Sequence, residues 1–483
     1  MEMEIWRYVN MEILYQQADN FQFSIFQFFN LSTGRLGGGF MYNLFLTILV
    51  SILSYGAKGD GETLNTHAFN SAIEACAQQG GGVVEVPEGT FLSGTIHLKT
   101  GVTLQLQKGA VILGSKRLSD YESFVPKHDL SRYESGRGTA NANSAYDTIW
   151  TKALVIANDI HDAGITGEGT IDGQHVFNPL GEEKMRGPHT IIAASCQRLT
   201  FSHFNVCHAA NYAFLAYDIS DSHFSNLTIT EGWDGIHIRG CERVSIRNCV
   251  MHTGDDGIAG GYWHKMVIDG NEINSSCNGI RMIQPSVDLA ITNNHIYGPG
   301  LCKHRTSGKT SSDAAISLEP GGWGAAPGRL DSIVISNLKT ETVLTPVSVT
   351  LSEDNTAGTI IIENVVARDI TRMAMSVKSW GSAHTDKVIV RNVDLQFRGI
   401  DDPSLPKWFK TAKTSEWPFF PSWAMYFRNV GSVSIENAKL SHIGSDYRKA
   451  IIYNNVGKKK EKNLTPALSE GEGDVTHMKK RKK

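Results

Sequence analysis

Three short triplets constrain this chain more than any other feature. Asp234-Gly235-Ile236, Asp256-Gly257-Ile258 and Asn278-Gly279-Ile280 recur at intervals of 22 residues, and a second carboxylate, Asp255, stands beside the middle one. A fixed period of this length with short apolar runs is the signature of a chain that coils and stacks on itself. Stacked coils bring equivalent residues to about 4.8 Å, the spacing of neighbouring strands. One stretch of sequence is therefore expected to gather three aspartates into a small patch.

The period runs far beyond the triplets. One strand pattern places an apolar residue two positions before an Asn: Phe224/Asn226, Ile246/Asn248, Ile291/Asn293, Ile335/Asn337, Ile362/Asn364, Val390/Asn392 and Ile435/Asn437, with Phe201/His203 and Ile268/Gly270 in the same slot. Most steps are 22 to 28 residues; steps of 44 and 45 read as doubled coils, and the longer single steps as loop insertions. The recurring Asn suggests a ladder at a turn, because Asn tolerates left-handed backbone and its amide can bond from coil to coil. A second strand pattern follows in each coil: Ile236-His237-Ile238, Ile258-Ala259-Gly260, Ile280-Arg281-Met282, Ile316-Ser317-Leu318, Val347-Ser348-Val349, Met375-Ser376-Val377 and Met425-Tyr426-Phe427. The outer members are mostly apolar and the middle ones mostly polar, which is period two. His237, Arg281, Ser317, Ser348, Ser376 and Tyr426 are thus expected to line one exposed sheet. The chain reads as an all-β solenoid. Two or three β-sandwich domains are the alternative, and a register held from Phe201 to Asn437 argues against it.

Ahead of the coils lies one helix signal. Thr66 or Asn65 can cap it, Ala68, Phe69, Ala72, Ile73 and Cys76 keep helical spacing, and Gly80-Gly81-Gly82 ends it. Val83 to Val86 then reads as a strand. The helix is expected to cap the open end of the solenoid, whose apolar face would otherwise meet water.

Three regions follow: an irregular extension (1–47), one solenoid domain (48–456) and a basic tail (457–483). In the extension, Phe21, Phe23, Phe26, Phe28 and Phe29 have no identifiable partner, and residues 41–53 resemble the core of an export signal without its basic leader or cleavage site. The stretch from Ile48 to Leu53 reads as the first strand of the fold. The tail holds nine Lys or Arg and four acids with no apolar periodicity, and is expected to be disordered. The 46 basic residues against 49 acidic ones point to no nucleic-acid partner, and no segment reaches the ~20 apolar residues of a membrane span. Seven cysteines without a C-x-x-C pair carry no metal or redox motif, and Cys207, Cys249 and Cys277 are expected in the core. Residues 118–150, with Tyr121, Phe124, Tyr133, Tyr146 and Trp150, do not fit the coil. They suit either sugar stacking beside a groove or packing over the solenoid.

Counting ten residues from each apolar anchor puts Asn211, Asp234, Asp256 and Asn278 in one column, with Asp255 beside it. Glycine follows three of the four, which permits a bulge or a close approach and leaves space for a ligand above the sheet. Clustered carboxylates raise the pKa of at least one of them. A protonated carboxyl beside ionised ones is what acid/base glycoside hydrolysis requires, with room for a water in an inverting enzyme. A calcium site serving lyase chemistry, and aspartates acting only as turn residues, remain as alternatives.

The chain resembles glycoside hydrolase family 28, the polygalacturonase-like enzymes on a right-handed parallel β-helix of the pectin-lyase-like superfamily. The resemblance spans about residues 50–450 and is carried by Tyr55-Gly56-Ala57-Lys58-Gly59-Asp60-Gly61, Gly81-Gly82-Val83-Val84-Glu85-Val86-Pro87, Gly232-Trp233-Asp234-Gly235 and Gly254-Asp255-Asp256. It implies inverting hydrolysis with Asp255 as general acid and Asp234 and Asp256 holding the attacking water, no metal and no cofactor. The family's Gly-His-Gly is here Cys277-Asn278-Gly279, so its histidine is missing from that slot, and His237 one coil away is the candidate substitute. The family's Arg-Ile-Lys falls near Ser317-Leu318-Glu319, where Glu319 would repel a uronate and Arg281 could supply the charge; a solvated strand arginine is the plainer reading of Arg281. The expected substrate-binding residues are His237, Asn278 and Arg281. The expected protein is a monomeric, secreted or periplasmic hydrolase of a pectin-type or related polysaccharide. A lyase or epimerase on the same fold, or a non-catalytic glycan-binding protein, are the alternatives.

Overall fold

The computed structural model describes residues 26–36, 39–134, 143–322, 324, 326–352, 355–400 and 421–466. These residues form a parallel β-helix of 33 strands. Pairing between coils is parallel throughout the solenoid, and the two sequence patterns are its two main columns. Phe224, Ile246, Ile268, Ile291, Ile335, Ile362, Val390 and Ile435 pair in succession. Ile236, Ile258, Ile280, Ile316 and Val347 do the same. Nearly all of these side chains are fully buried, so the core is a stack of like residues running down the axis.

The Asn ladder is present. Asn226, Asn248, Asn293, Asn337, Asn364, Asn392 and Asn437 all have left-handed backbone with φ of 53–56°. Asn337, Asn364, Asn392 and Asn437 each donate from Nδ2 to the Oδ1 of the preceding rung at 2.8–3.1 Å. Gly270 fills the rung that lacks Asn, at φ 68°.

Direct pairing of Ile291 with Ile335 and of Val390 with Ile435 corrects the doubled coils. Each long step is one coil carrying insertions. The first insertion, residues 298–313, matters below.

Helix α1 (Thr66–Gln78) lies where expected, with Ala68, Phe69, Ala72, Ile73 and Cys76 buried. Asn65 precedes it without a side-chain cap bond; its amide instead ties Lys58 N to Oδ1 at 2.7 Å. Leu49–Ser51 pair in parallel with Val83–Glu85, consistent with a first strand there. Upstream, Phe26–Leu36 and Gly39–Ser51 pair antiparallel, a partner the aromatic run did not reveal; Phe21 and Phe23 lie outside the described residues. At the other end, Lys449–Pro466 is a strand paired with Ser422–Ile443, so the solenoid continues ten residues past 456. Asn463 explains this, because its Nδ2 donates to Asn437 Oδ1 at 2.8 Å and adds one more rung. Residues 467–483 lie outside the described residues.

The outward column is not an exposed sheet. His237, Ser317, Ser376 and Tyr426 are buried. A second apolar cluster covers the early coils: Phe124, Leu130, Ala145 and Trp150 pack on Ile156, Ile192, Leu215, Tyr217, Tyr212 and Trp233. The described residues of 118–134 and 143–150 thus serve packing, and of their aromatic residues Tyr146 alone is largely exposed.

Candidate active site

The carboxylates stand where turns enter the outward strands. Asp234 precedes the strand Ile236–Glu242, Asp255 and Asp256 precede Ile258–Asp269, and Asn278 opens Asn278–Gln284. Gly235 N donates to Asp256 O at 3.0 Å and Gly257 N to Asn278 O at 2.9 Å, which stacks Asp234, Asp256 and Asn278 in one column. Ala213 N continues it to Asp234 O at 3.0 Å, so the rung before Asp234 is Tyr212 and not Asn211. The coil of Phe201 spends one more residue reaching Phe214 than the coil of Phe224 spends reaching Ile236, and counting from the anchor slips by one there.

The column is bonded side chain to backbone. Asp256 N donates to Asp234 Oδ1 at 3.2 Å, and Asn278 donates to Asp256 Oδ1 from N at 2.9 Å and from Nδ2 at 2.8 Å. Asn278 is therefore a fixed support of Asp256. The three glycines make this register possible in a different way from that expected. A Cβ on Gly257 would meet Ile273 Cγ2 at 2.4 Å and Gly279 O at 2.7 Å, and one on Gly279 would meet Ile296 Cγ2 at 2.3 Å. They face the core and the next coil's carbonyl, and clear no space for a ligand.

His237 stands behind Asp234. Its Nδ1 lies 2.7 Å from Asp234 Oδ2, and Arg239 Nε donates to its Nε2 at 3.1 Å. Because the guanidinium can only donate, Nε2 accepts and the ring proton sits on Nδ1, facing Asp234. Tyr212 stacks on the ring at 4.8 Å with an interplanar angle of 4°. Arg239 is anchored in turn through Nη1 to Asn143 O at 2.7 Å. Both nitrogens and one face of His237 are thus occupied, and it orients Asp234 from the protein side.

Asp255 is the open member of the trio, its side chain 17 % exposed against 4 % for Asp234 and Asp256. Arg186 Nη2 donates to its Oδ2 at 3.3 Å, and His304 Nε2 lies 3.7 Å from the same oxygen. Arg186 also pairs with Glu183 at 2.8 Å and lies over the Trp233 ring at 4.9 Å, where Arg305 lies at the same distance. Arg281 donates from Nε to Glu319 Oε1 at 2.7 Å and places Nη1 3.6 Å from Asp256 Oδ2. It is not a solvated strand arginine, and Glu319 is not a free negative charge. Two rungs on, Lys378 is buried and donates to Ser348 Oγ at 2.9 Å and Ser376 Oγ at 3.2 Å; burial pulls its pKa down to about 7.

Electrostatics divide the trio. Burial first, then repulsion from Asp255 and Asp256, hold Asp234 well above the ordinary carboxylate range. Burial raises Asp256 to about 6, with Arg281 opposing. Asp255 also pays a burial penalty, yet His304 and Arg186 overcome it and hold this carboxyl below the ordinary range. Burial lowers His237 well below its usual value, with Arg239 adding to it, so it is neutral. The Asp255 carboxylate beside it raises His304. Burial and mutual repulsion thus hold Asp234 and Asp256 above the ordinary carboxylate range, while the cations hold Asp255 below it.

Arg186 and His304 escaped the sequence reading. Arg186 lies on an irregular segment, and His304 sits in the insertion at 298–313 that the doubled-coil reading hid. Cys277 is beside the carboxylates and not in the core, its thiol pushed far up by burial and by Asp256 and Asp255. Ligand atoms of Asp255, Asp256 and Cys277 lie within 4.8 Å of one another. With Arg186, His304 and Arg281 already on these carboxylates and the thiol protonated, this set favours protons over a cation.

Residues 49–281 match the family described as rhamnogalacturonase A/epimerase, pectate lyase-like. A probable polygalacturonase of Vitis vinifera is 29 % identical over 223 residues, 43 % of each chain. The plasmin and fibronectin-binding protein A of Streptococcus pneumoniae is 31 % identical over 164 residues, 30 % of this chain and 22 % of that one. The chain thus spans less than half the length of either relative. A family 28 exopolygalacturonase from Yersinia enterocolitica superposes with a TM-score of 0.52 at 16 % identity, covering 89 % of this chain and 82 % of its own, which is likeness of fold. The protein is a parallel β-helix with a pectin-lyase-like fold. Within it, its relatives are polygalacturonases of glycoside hydrolase family 28 at modest identity, together with a pneumococcal binding protein.

Proposed function

We propose that the protein is an inverting glycoside hydrolase of a pectin-type polysaccharide, acting outside the cytoplasm where such polymers lie. The observation that carries this is one coupled trio of carboxylates, two buried and one open, ringed by Arg186, Arg281 and His304. In this reading Asp255 meets the glycosidic oxygen as general acid, and Asp234 and Asp256 hold and activate the water. The substrate-free site keeps its proton on the two rear carboxylates while Arg186 and His304 keep Asp255 ionised. Asp255 becomes the proton donor when these cations turn to a negative group on the substrate and it takes up the proton held behind it, which leaves Asp234 and Asp256 ionised as the base. A uronate carboxylate is such a group, and the cations around Asp255 supply what the Arg-Ile-Lys slot lacks.

The test is product analysis on polygalacturonate, a rhamnogalacturonan and a neutral glucan, with wild type against Asp255→Asn. The expected result is release of saccharide from a uronate-containing polymer, with inverted anomeric configuration by NMR at early times and a fall of at least 10²-fold in the variant. Release from none of the three, or equal rates in the variant, defeats the proposal. The pneumococcal relative motivates a second reading, a β-helix that binds without cleaving; tight oligosaccharide binding with no turnover would favour it.

A further inference from the structure

Three successive turns ahead of the carboxylates place another set of side chains together. Asp172 pairs with Cys207 across coils, Cys207 pairs with Thr230, and His175 N donates to His208 O at 2.8 Å, so His175, His208 and Glu231 lie together on one edge of the solenoid. His175 Nε2 lies 2.6 Å from Glu231 Oε2. The two imidazole rings are 5.1 Å apart, and one ligand atom from each of His175, His208 and Glu231 lies within 4.8 Å of the others.

The outer contacts of the two rings are alike. His208 Nδ1 lies 3.0 Å from Asp172 Oδ2, and His175 Nδ1 lies 3.3 Å from Ala209 O. His175 Nε2 faces Glu231, so without an ion a proton lies between them; in each ring Nδ1 also faces an acceptor, a carboxylate for one and a backbone carbonyl for the other. That is the arrangement in which metal-bound histidines are held, the outer acceptor fixing the tautomer and raising ligand basicity. A metal ion bound at Nε2 would displace that proton, because a histidine ligand must offer a free nitrogen lone pair. An ion pair with a protonated His175 would explain that contact, but not the matching anchorage of His208.

We propose that His175, His208 and Glu231 form a binding site for a divalent transition-metal ion, with Asp172 and the Ala209 carbonyl as the supports of its histidines. Two imidazole nitrogens and one carboxylate are a zinc-type donor set with a position left open. The side chains are 25 %, 44 % and 47 % exposed, which gives the ion a path from solvent. Glu231 lies three residues before Asp234 on the same turn. The ion would therefore stand on the rim of the carboxylate site without touching the reacting groups, and the inference does not depend on the proposed hydrolysis.

The test uses untagged protein with Zn²⁺ alone by calorimetry, and Co²⁺ alone by its visible absorption. The expected result is one ion per chain, an absorption band typical of a four- or five-coordinate nitrogen/oxygen site, loss of both signals in His175→Ala/His208→Ala, and a 10- to 100-fold weaker affinity in Asp172→Asn. A Cys277→Ser variant, which alters the other cluster, should bind like wild type. No saturable binding by wild type, or binding that survives the double His variant with the fold intact by circular dichroism, overturns the proposal.

Discussion

Arg186 and Asp255 meet at 3.3 Å across 69 residues of sequence, with the guanidinium only 4 % exposed. Glu182 and Glu183 face the same guanidinium. A buried arginine surrounded by three carboxylates is more than a substrate contact, because removing it leaves uncompensated charge inside the protein. Arg186→Gln is therefore expected to cost about 3–5 kcal/mol of stability. It should also raise the pKa of Asp255 towards and above the ordinary range. Urea titration of the variant measures the first, and a shift of the alkaline limb of the pH–rate profile to higher pH measures the second.

His304 should separate function from folding. It rides on the 298–313 insertion, 3.7 Å from Asp255 Oδ2 and 14 % exposed, outside the apolar core of the coils. His304→Ala is expected to leave the urea midpoint within about 0.5 kcal/mol of wild type, the range of substitutions away from core features. It should lower kcat/KM on a uronate polymer by about 10- to 100-fold, the scale of losing one charged partner. An unchanged kcat/KM would place His304 outside the reaction.

What the sequence made legible was periodic. The Phe224 to Ile435 column, the Asn ladder and the Asp234–Asp256–Asn278 stack each repeat at a fixed interval, and a repeat is visible without knowledge of the fold. What it hid was aperiodic or contingent on packing. His304 arrives on an insertion, Arg186 on an irregular segment, and the burial of His237 requires Tyr212, a residue displaced by one position from the counted column. The exposed-sheet expectation failed for the same reason: period two shows which side chains leave the core, but not what the chain later lays over them. The glycines in the triplets were read by conformational freedom, whereas their positions are decided by Ile273 and Ile296 in the core.

The raised pKa of Asp256 makes a stability prediction. Its folded value, about 6, lies above its unfolded value of about 3.9. The stabilisation it contributes is therefore fully present below about pH 3.9 and is lost as pH rises through about 6. Asp256→Asn removes the titration while keeping a group of the same shape. The variant should thus gain on wild type between pH 4 and pH 7, by on the order of 2 kcal/mol. Paired urea titrations at the two pH values check this; a constant difference would mean that Asp256 titrates normally.

Gly257→Ala probes the stack from within. The glycine φ there is not in the left-handed region, so the cost is contact alone: the new methyl meets Ile273 Cγ2 at 2.4 Å and Gly279 O at 2.7 Å. Overpacking of this kind costs about 1–3 kcal/mol. Because Gly257 N holds Asn278 O, and Asn278 in turn holds Asp256, the displacement should reach the carboxylate. Activity is expected to fall with stability, and Ile273→Leu beside Gly257→Ala should recover part of both, because leucine lacks the β-branch methyl that the new Cβ meets.

The C-terminal rung gives the last prediction. Residues 457–466 look like a charged tail by composition, yet Val433 pairs with Lys459, Ile435 with Glu461, and Asn463 extends the Asn ladder. The lysines suit an edge strand, because charge discourages pairing with another chain's edge. Lys462 Nζ pairs with Glu436 at 2.8 Å, and Leu464 packs against the core. A chain ending after Pro466 should melt like the full chain. One ending after Val456 loses this cover, leaves Val433, Ile435 and Leu440 on an open strand edge, and is expected to unfold at a lower urea concentration and to self-associate at micromolar concentration. Sizing chromatography with multi-angle scattering of the two truncations decides it, and equal midpoints with equal mass would mean that the solenoid already closes at the preceding coil.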